Sequence, residues 1–293
     1  MNQLKTASKV FFSVLVLGTL GVSASASVYD AQDESRVSPS RSVYESSPPP
    51  SEGYETDFST NFQFGEASNG DTFSSLWING RQGVGHGLRV GVSLPFLTRS
   101  NTETGLDRSE MGNPVGSLGI EVFSWGERKR PGHLDLLFSA SMPRGGGKDS
   151  LSHDRSDIKA GVEGYQPMDE GFARGDFGVV YRTPESFQKL GVMGVAGGTL
   201  GWELLQDLVL VGGMRARYAR SSERDQVKTG SVSLITLEPE IQVGVFSGFS
   251  IHFAGYLPIA RSSNLKGNEY AIGGIETPGL LGPTVSIGAG FLF

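Results

Sequence analysis

The sequence has no cysteine. That excludes a disulfide framework, a thiolate metal centre and a cysteine nucleophile, and it is neutral as to redox compartment. A positive charge excess is missing too. The formal net charge is −6, whereas a nucleic-acid partner usually leaves a basic patch. Long apolar runs are absent beyond the amino-terminal region, and 38% hydrophobic content is low for a protein crossing a membrane with helices of about 20 residues each. What is abundant is glycine. The 42 glycines follow no collagen-like period. At that density, interleaved with Phe and Val, they suit a sheet whose backbones approach closely and bend.

Residues 1–26 read as a secretory signal peptide. Lys5 and Lys9 supply the positive start, Val10 to Val22 the apolar stretch, and Ala24 and Ala26 the small residues of a cleavage site. A membrane helix is the weaker reading, because the apolar stretch is well short of a span. No cysteine follows, which excludes lipid attachment there. Residues 27–53 are rich in Ser, Pro, Asp and Glu, include Pro48-Pro49-Pro50, and hold too little apolar surface to fold alone. They are expected to form a disordered periplasmic tail, with a plug in a barrel lumen as the alternative.

From residue 54 the pattern changes to period two. Leu88, Val90, Val92, Leu94 and Phe96 alternate with Arg89, Gly91, Ser93 and Pro95; Leu237, Ile241, Val243 and Val245 alternate with Glu238, Glu240 and Gln242. Such alternation marks strands with one apolar and one polar face. The runs last about ten residues, as a tilted bilayer crossing requires, and exceed the usual soluble strand. Twelve strands are predicted: 55–65, 72–82, 87–97, 116–125, 133–142, 157–166, 173–182, 190–203, 207–219, 231–245, 249–260 and 283–293. The glycines at 191, 194, 197, 198 and 201 predict a bulge or distortion in the eighth. Short connections alternate with longer polar ones at 98–115, 143–156, 183–189, 220–230 and 261–282, and both termini fall on the short-turn side. The predicted fold is therefore all-β: a closed antiparallel transmembrane β-barrel of about twelve strands spanning 54–293, in the bacterial outer membrane.

The last strand ends on an aromatic residue. Ser286, Gly288, Phe291 and Phe293 resemble the terminal β-signal of outer-membrane proteins, and the resemblance implies the outer-membrane assembly machinery as a partner. The stretch Gly83-Val84-Gly85-His86-Gly87-Leu88-Arg89-Val90-Gly91-Val92-Ser93-Leu94-Pro95-Phe96 resembles the turn-and-strand signature of outer-membrane proteins associated with phenol meta-pathway gene clusters. Gly112-Asn113-Pro114-Val115-Gly116 is similar to that family's next segment, with Asn113 where an aspartate is usual. This resemblance implies movement of small hydrophobic or aromatic molecules.

The polar faces carry Arg89, Glu121, Asp135, Lys159, Glu163, Asp176, Arg215, Arg217, Glu238, Glu240 and His252. In a lipid-embedded barrel these charges must point inward, since a lipid-facing Arg or Lys costs about 2–4 kcal/mol at the midplane. Arg215 and Arg217 are expected to face Glu238 and Glu240 on the next strand. The same list is consistent with a selective narrow pore and with a salt-bridged lumen that fills a small barrel.

Catalysis has few candidates. There are four histidines, His86, His133, His153 and His252. Ser68-Asn69-Gly70 resembles part of the outer-membrane phospholipase motif without its nearby histidine. His153 and Asp154, with Asp149 and Asp157, match no defined metal loop, and Gly145-Gly146-Gly147-Lys148 lacks the spacing of a phosphate loop. No metal, cofactor or nucleic acid is expected. Outer-membrane lipid and a small solute are the expected partners, and a narrow channel is the expected function. A non-transporting structural or surface-interaction barrel is the alternative, and a lipid hydrolase ranks below both.

Overall fold

The computed structural model describes residues 56–66, 71–101, 105–127, 130–144, 151, 155–184, 188–205, 207–224, 227–228, 230–246, 248–265 and 277–292. The expected signal peptide with Ala24 and Ala26, the 27–53 tail and the terminal Phe293 lie outside these residues.

The strands are β1 (Thr56–Glu66), β2 (Asp71–Gly85), β3 (Leu88–Asn101), β4 (Leu106–Met111), β5 (Val115–Glu127), β6 (Arg130–Ser141), β7 (Asp157–Met168), β8 (Gly171–Arg182), β9 (Gln188–Lys189), β10 (Met193–Leu205), β11 (Leu208–Ala219), β12 (Glu223–Arg224), β13 (Val227–Lys228), β14 (Val232–Phe246), β15 (Phe249–Arg261) and β16 (Thr284–Leu292). Twelve of them pair antiparallel into a closed ring in the order β1-β2-β3-β5-β6-β7-β8-β10-β11-β14-β15-β16. The ring closes where β1 meets β16, from Asp57 opposite Leu292 to Gly65 opposite Thr284. Closure leaves no unpaired edge, which is what a sheet in lipid requires.

The alternation in the sequence becomes inside and outside. Phe58, Val92, Phe96, Phe177, Leu200, Met214, Ile241 and Phe253 are exposed on the outer face. Asn61, Gln63, Arg89, Asp135, Glu163, Arg215, Glu238 and His252 are buried on the inner one. An apolar exterior of this extent is far beyond the patches that soluble monomers carry. It matches the apolar band of a barrel surrounded by lipid.

Two segments depart from expectation. Residues 98–115, expected as a loop, are largely strand: β3 runs on to Asn101, and β4 returns alongside it. Phe96 faces Met111 while Ser93 faces Val115, so the register slips by one residue between β4 and β5. The two are one long strand bulged at Gly112-Asn113-Pro114. Pro114 has no N–H for the ladder, and Gly112 keeps its bond to the Pro95 carbonyl at 2.7 Å. The second departure is β10, where distortion was expected. Its glycine-rich part pairs in unbroken register with both neighbours from Met193, and the shift comes only at Glu203–Leu205.

At the long-loop end, β9, β12 and β13 form a small separate sheet. There Leu265 and Leu280 turn inward from the connection between β15 and β16. They pack against the inward-facing Val180, Met193, Val195, Ala219, Val232 and Leu234, which makes an apolar cap in that mouth of the lumen. At the short-turn end, Phe172, Val209 and Val211 cluster with Tyr165. Between the two apolar ends the lumen is charged.

Candidate functional site: a charge-paired lumen

The middle of the lumen is organised by a row of carboxylates. Glu121 lies opposite Asp135, Asp135 opposite Glu163, and Glu163 opposite Asp176, on the consecutive strands β5, β6, β7 and β8. Like charges directly opposite each other destabilise a sheet, so the row needs cations. Arg89 Nη2 donates to Asp135 Oδ2 at 2.5 Å. Arg174 pairs with Glu163. Arg215 grips Asp176 with both terminal nitrogens, at 3.0 and 3.2 Å, and its Nε lies 3.5 Å from Glu238 Oε2. Removing one partner of such a pair strands a buried charge, at a cost of about 3–5 kcal/mol.

The Arg215–Asp176 contact spans the intervening strand β10. It is possible because Gly197 sits between them in register. A Cβ on Gly197 would lie 2.8 Å from both Arg215 Nη2 and Asp176 Oδ1. The glycine is there for clearance, and the guanidinium lies over bare backbone.

Arg89, Asp135, Glu163, Arg215, Glu238 and His252 are buried on the inward parity, and Glu121, Lys159, Arg217 and Glu240 lie half-buried on that parity. The expected pairing between β11 and β14 is present at Arg215, which reaches Glu238 as well as Asp176. Arg217 Nη1 lies 3.5 Å from the Thr236 hydroxyl, and Glu240 accepts from Gln242 Nε2 at 2.8 Å. Glu238 accepts from Thr236 at 2.8 Å. The facing-strand argument did not foresee Asp176, because a long guanidinium can cross a glycine to the next strand but one.

Sequence reasoning missed Arg174 and His133. Arg174 shares the parity of Asp176 two residues on, so the signal was present. His133 was read only as a strand start, yet it is fully buried beside Asp135, with its Nε2 3.5 Å from Asp135 Oδ2. Its ring stacks on Tyr165 with centroids 5.1 Å apart. His252 lies on the lumen side across from Asn61, its Nε2 3.4 Å from Asn61 Nδ2. The ring passes over Gly288, where a Cβ would meet it at 2.1 Å. Gly288 thus has a packing reason for being glycine besides any role in an assembly signal. Ser286 is buried in the lumen, and Phe291 packs on Phe249 with centroids 4.5 Å apart. Of the loop acids weighed as metal ligands, Asp157 is ion-paired with Arg155 at 2.9 Å, and Asp149, His153 and Asp154 lie outside the described residues.

A cavity of about 100 Å³ is bordered by Asp57, Trp77, Arg81, Arg89 and Lys159 among others. That is room for a few waters, each occupying about 30 Å³ in the liquid. A second, more open one of about 620 Å³ is bordered by Trp125, Tyr165, Arg174, Leu200 and Met214 among others.

No family model matches the chain, and no curated protein matches it. Solved structures do. The COG4313 outer membrane channel from Pseudomonas putida F1 superposes with a TM-score of 0.67 at 11% identity, over 87% of this chain and 99% of that one. The chain shares the barrel fold of that channel. The KdgM porin (TM-score 0.45, 9% identity, 82% of this chain and 99% of that one) and the NanC porin (0.47, 6%, 80% and 98%) are more distant barrels.

Proposed function

We propose that this protein is an outer-membrane barrel that forms a narrow channel for small solutes. The observation that carries the reading is the lumen itself: a closed apolar-outside wall around a belt in which Asp135, Glu163, Asp176 and Glu238 are ion-paired with Arg89, Arg174 and Arg215, with Glu121, Glu240, Arg81, Lys159 and Arg217 on the same inward parity. A mixed-sign, confined belt of this kind is how narrow barrels select by charge. The interlocked ion pairs of the belt favour small species. The aromatic short-turn end, with Tyr165 and Phe172, supports small aromatic molecules as one solute class. The apolar exterior supports embedding in outer-membrane lipid, and the terminal pattern of β16 supports assembly through that strand.

A specific observation favours a second reading, a barrel that does not conduct. The cap of Leu265 and Leu280 and the interlocked ion pairs narrow the lumen among the described residues. Planar-bilayer recording on the purified barrel separates the two. The channel reading expects small discrete conductance steps that change in ion selectivity when Arg215 is replaced. Silence across salts and voltages, from protein shown to be folded and inserted, overturns it. The hydrolase reading gains nothing from the histidines, since His133 and His252 both turn into the lumen.

A further inference from the structure

We propose that His133, Asp135 and Glu163 form a binding site in the lumen wall for a divalent transition-metal ion of the zinc class. The three are brought together by register. His133 and Asp135 are two residues apart on one face of β6, and Glu163 on β7 lies directly opposite Asp135. One donor atom from each lies within 4.8 Å of the others, and all three side chains are buried. A tetrahedral ion with bonds of about 2.0–2.1 Å needs donors roughly 3.3 Å apart, a closure within the reach of side-chain rotation.

The independent pointer to a ligand is the pair of carboxylate oxygens left over. Asp135 is 0% and Glu163 1% exposed. Arg89 takes Asp135 Oδ2, and Arg174 takes Glu163 Oε2. Asp135 Oδ1 and Glu163 Oε1 are buried and have no hydrogen-bond partner. A buried ionised oxygen without a partner is costly, and here both carboxylates that carry one belong to a cluster with an imidazole. The arginines act as orienting partners, fixing each carboxylate through its other oxygen, as outer-shell groups do at metal sites. The Tyr165 stack fixes the plane of the imidazole. The donor set selects the ion: an imidazole with two carboxylates suits zinc and its first-row neighbours, whereas magnesium and calcium prefer all-oxygen shells with more ligands. The site is independent of whether the barrel conducts.

The test uses the full chain, without a histidine tag, folded in detergent and checked by heat-modifiable migration. After metal removal, Zn²⁺ titrated calorimetrically is expected to bind at one equivalent with a Kd below about 10 µM, and Mg²⁺ not to compete. His133→Gln and Glu163→Gln are each expected to weaken binding by at least about 100-fold, since loss of even an outer-shell partner costs 10–100-fold. His86→Asn, in an exposed turn, should leave binding unchanged. On the unmutated protein, Zn²⁺ should raise the temperature at which heat-modifiable migration is lost, and Mg²⁺ should not. That readout needs no variant to fold. Absence of stoichiometric binding to the folded protein, binding undiminished in both variants, or no stabilisation by Zn²⁺ would each overturn the proposal.

Discussion

At the residue scale, the lumen shows charge placement being governed by clearance. Arg215 meets Asp176 only because Gly197 adds no atoms between them. Gly197→Val is therefore expected to displace the guanidinium and cost about as much as losing the pair, roughly 3–5 kcal/mol. Gly194→Val is the internal comparison: its added Cβ meets nothing closer than 4.0 Å. Thermal unfolding followed by heat-modifiable gel migration should show a clear drop for the first and little for the second. Equal behaviour of the two would mean that the Arg215 contact carries no stability.

The parity of each strand could be read from the sequence because side chains alternate strictly, and a barrel in lipid has only one way to turn a face that holds Glu238 and Glu240. The absence of cysteine makes that parity directly measurable. Ile241→Cys should react with a lipid-soluble maleimide and Glu240→Cys only with a small water-soluble reagent, and the reverse pattern would refute the register of β14. What could not be read was which charge meets which. That depends on the register between strands, fixed by turn geometry and by bulges such as Gly112-Asn113-Pro114, and these leave no periodic trace. The row from Glu121 to Asp176 is invisible in a sequence where its members are 14, 28 and 13 positions apart. The site for a metal ion was hidden by the same cause, since His133 and Asp135 meet Glu163 only once β6 and β7 are aligned. Beyond Asn101 the β3–β4 ribbon was missed because polar, charged residues such as Arg108 and Glu110 mask a strand that stands clear of the apolar band.

For the molecule as a whole, the lumen is a charged waist between two apolar ends. Leu265 and Leu280 pack their side chains into an apolar cluster at the long-loop end. Placing a charge there would bury an unpaired ion, which the cap can avoid only by opening. Leu280→Asp is thus expected to raise conductance in planar bilayers, or to produce conductance where the parent has none, while the fold persists because the strand ladders are untouched. Unchanged recordings from a folded variant would show that the restriction lies in the ion-paired waist instead.

The seam between β1 and β16 sets a condition on how the molecule comes into being. Asp57 and Leu292 are partners 235 positions apart, so this ladder can form only once β16 has been delivered. Contacts of such long sequence separation form late and slowly. Until then β1 and β15 both present open edges of the kind that recruit other strands. The barrel is consequently an object with no useful partial form, and its most vulnerable moment is the interval just before its final strand arrives. A chain cut after Arg261 should accumulate as aggregate or be degraded rather than yield a smaller barrel, and an eleven-strand species migrating as folded would show that closure can find another partner.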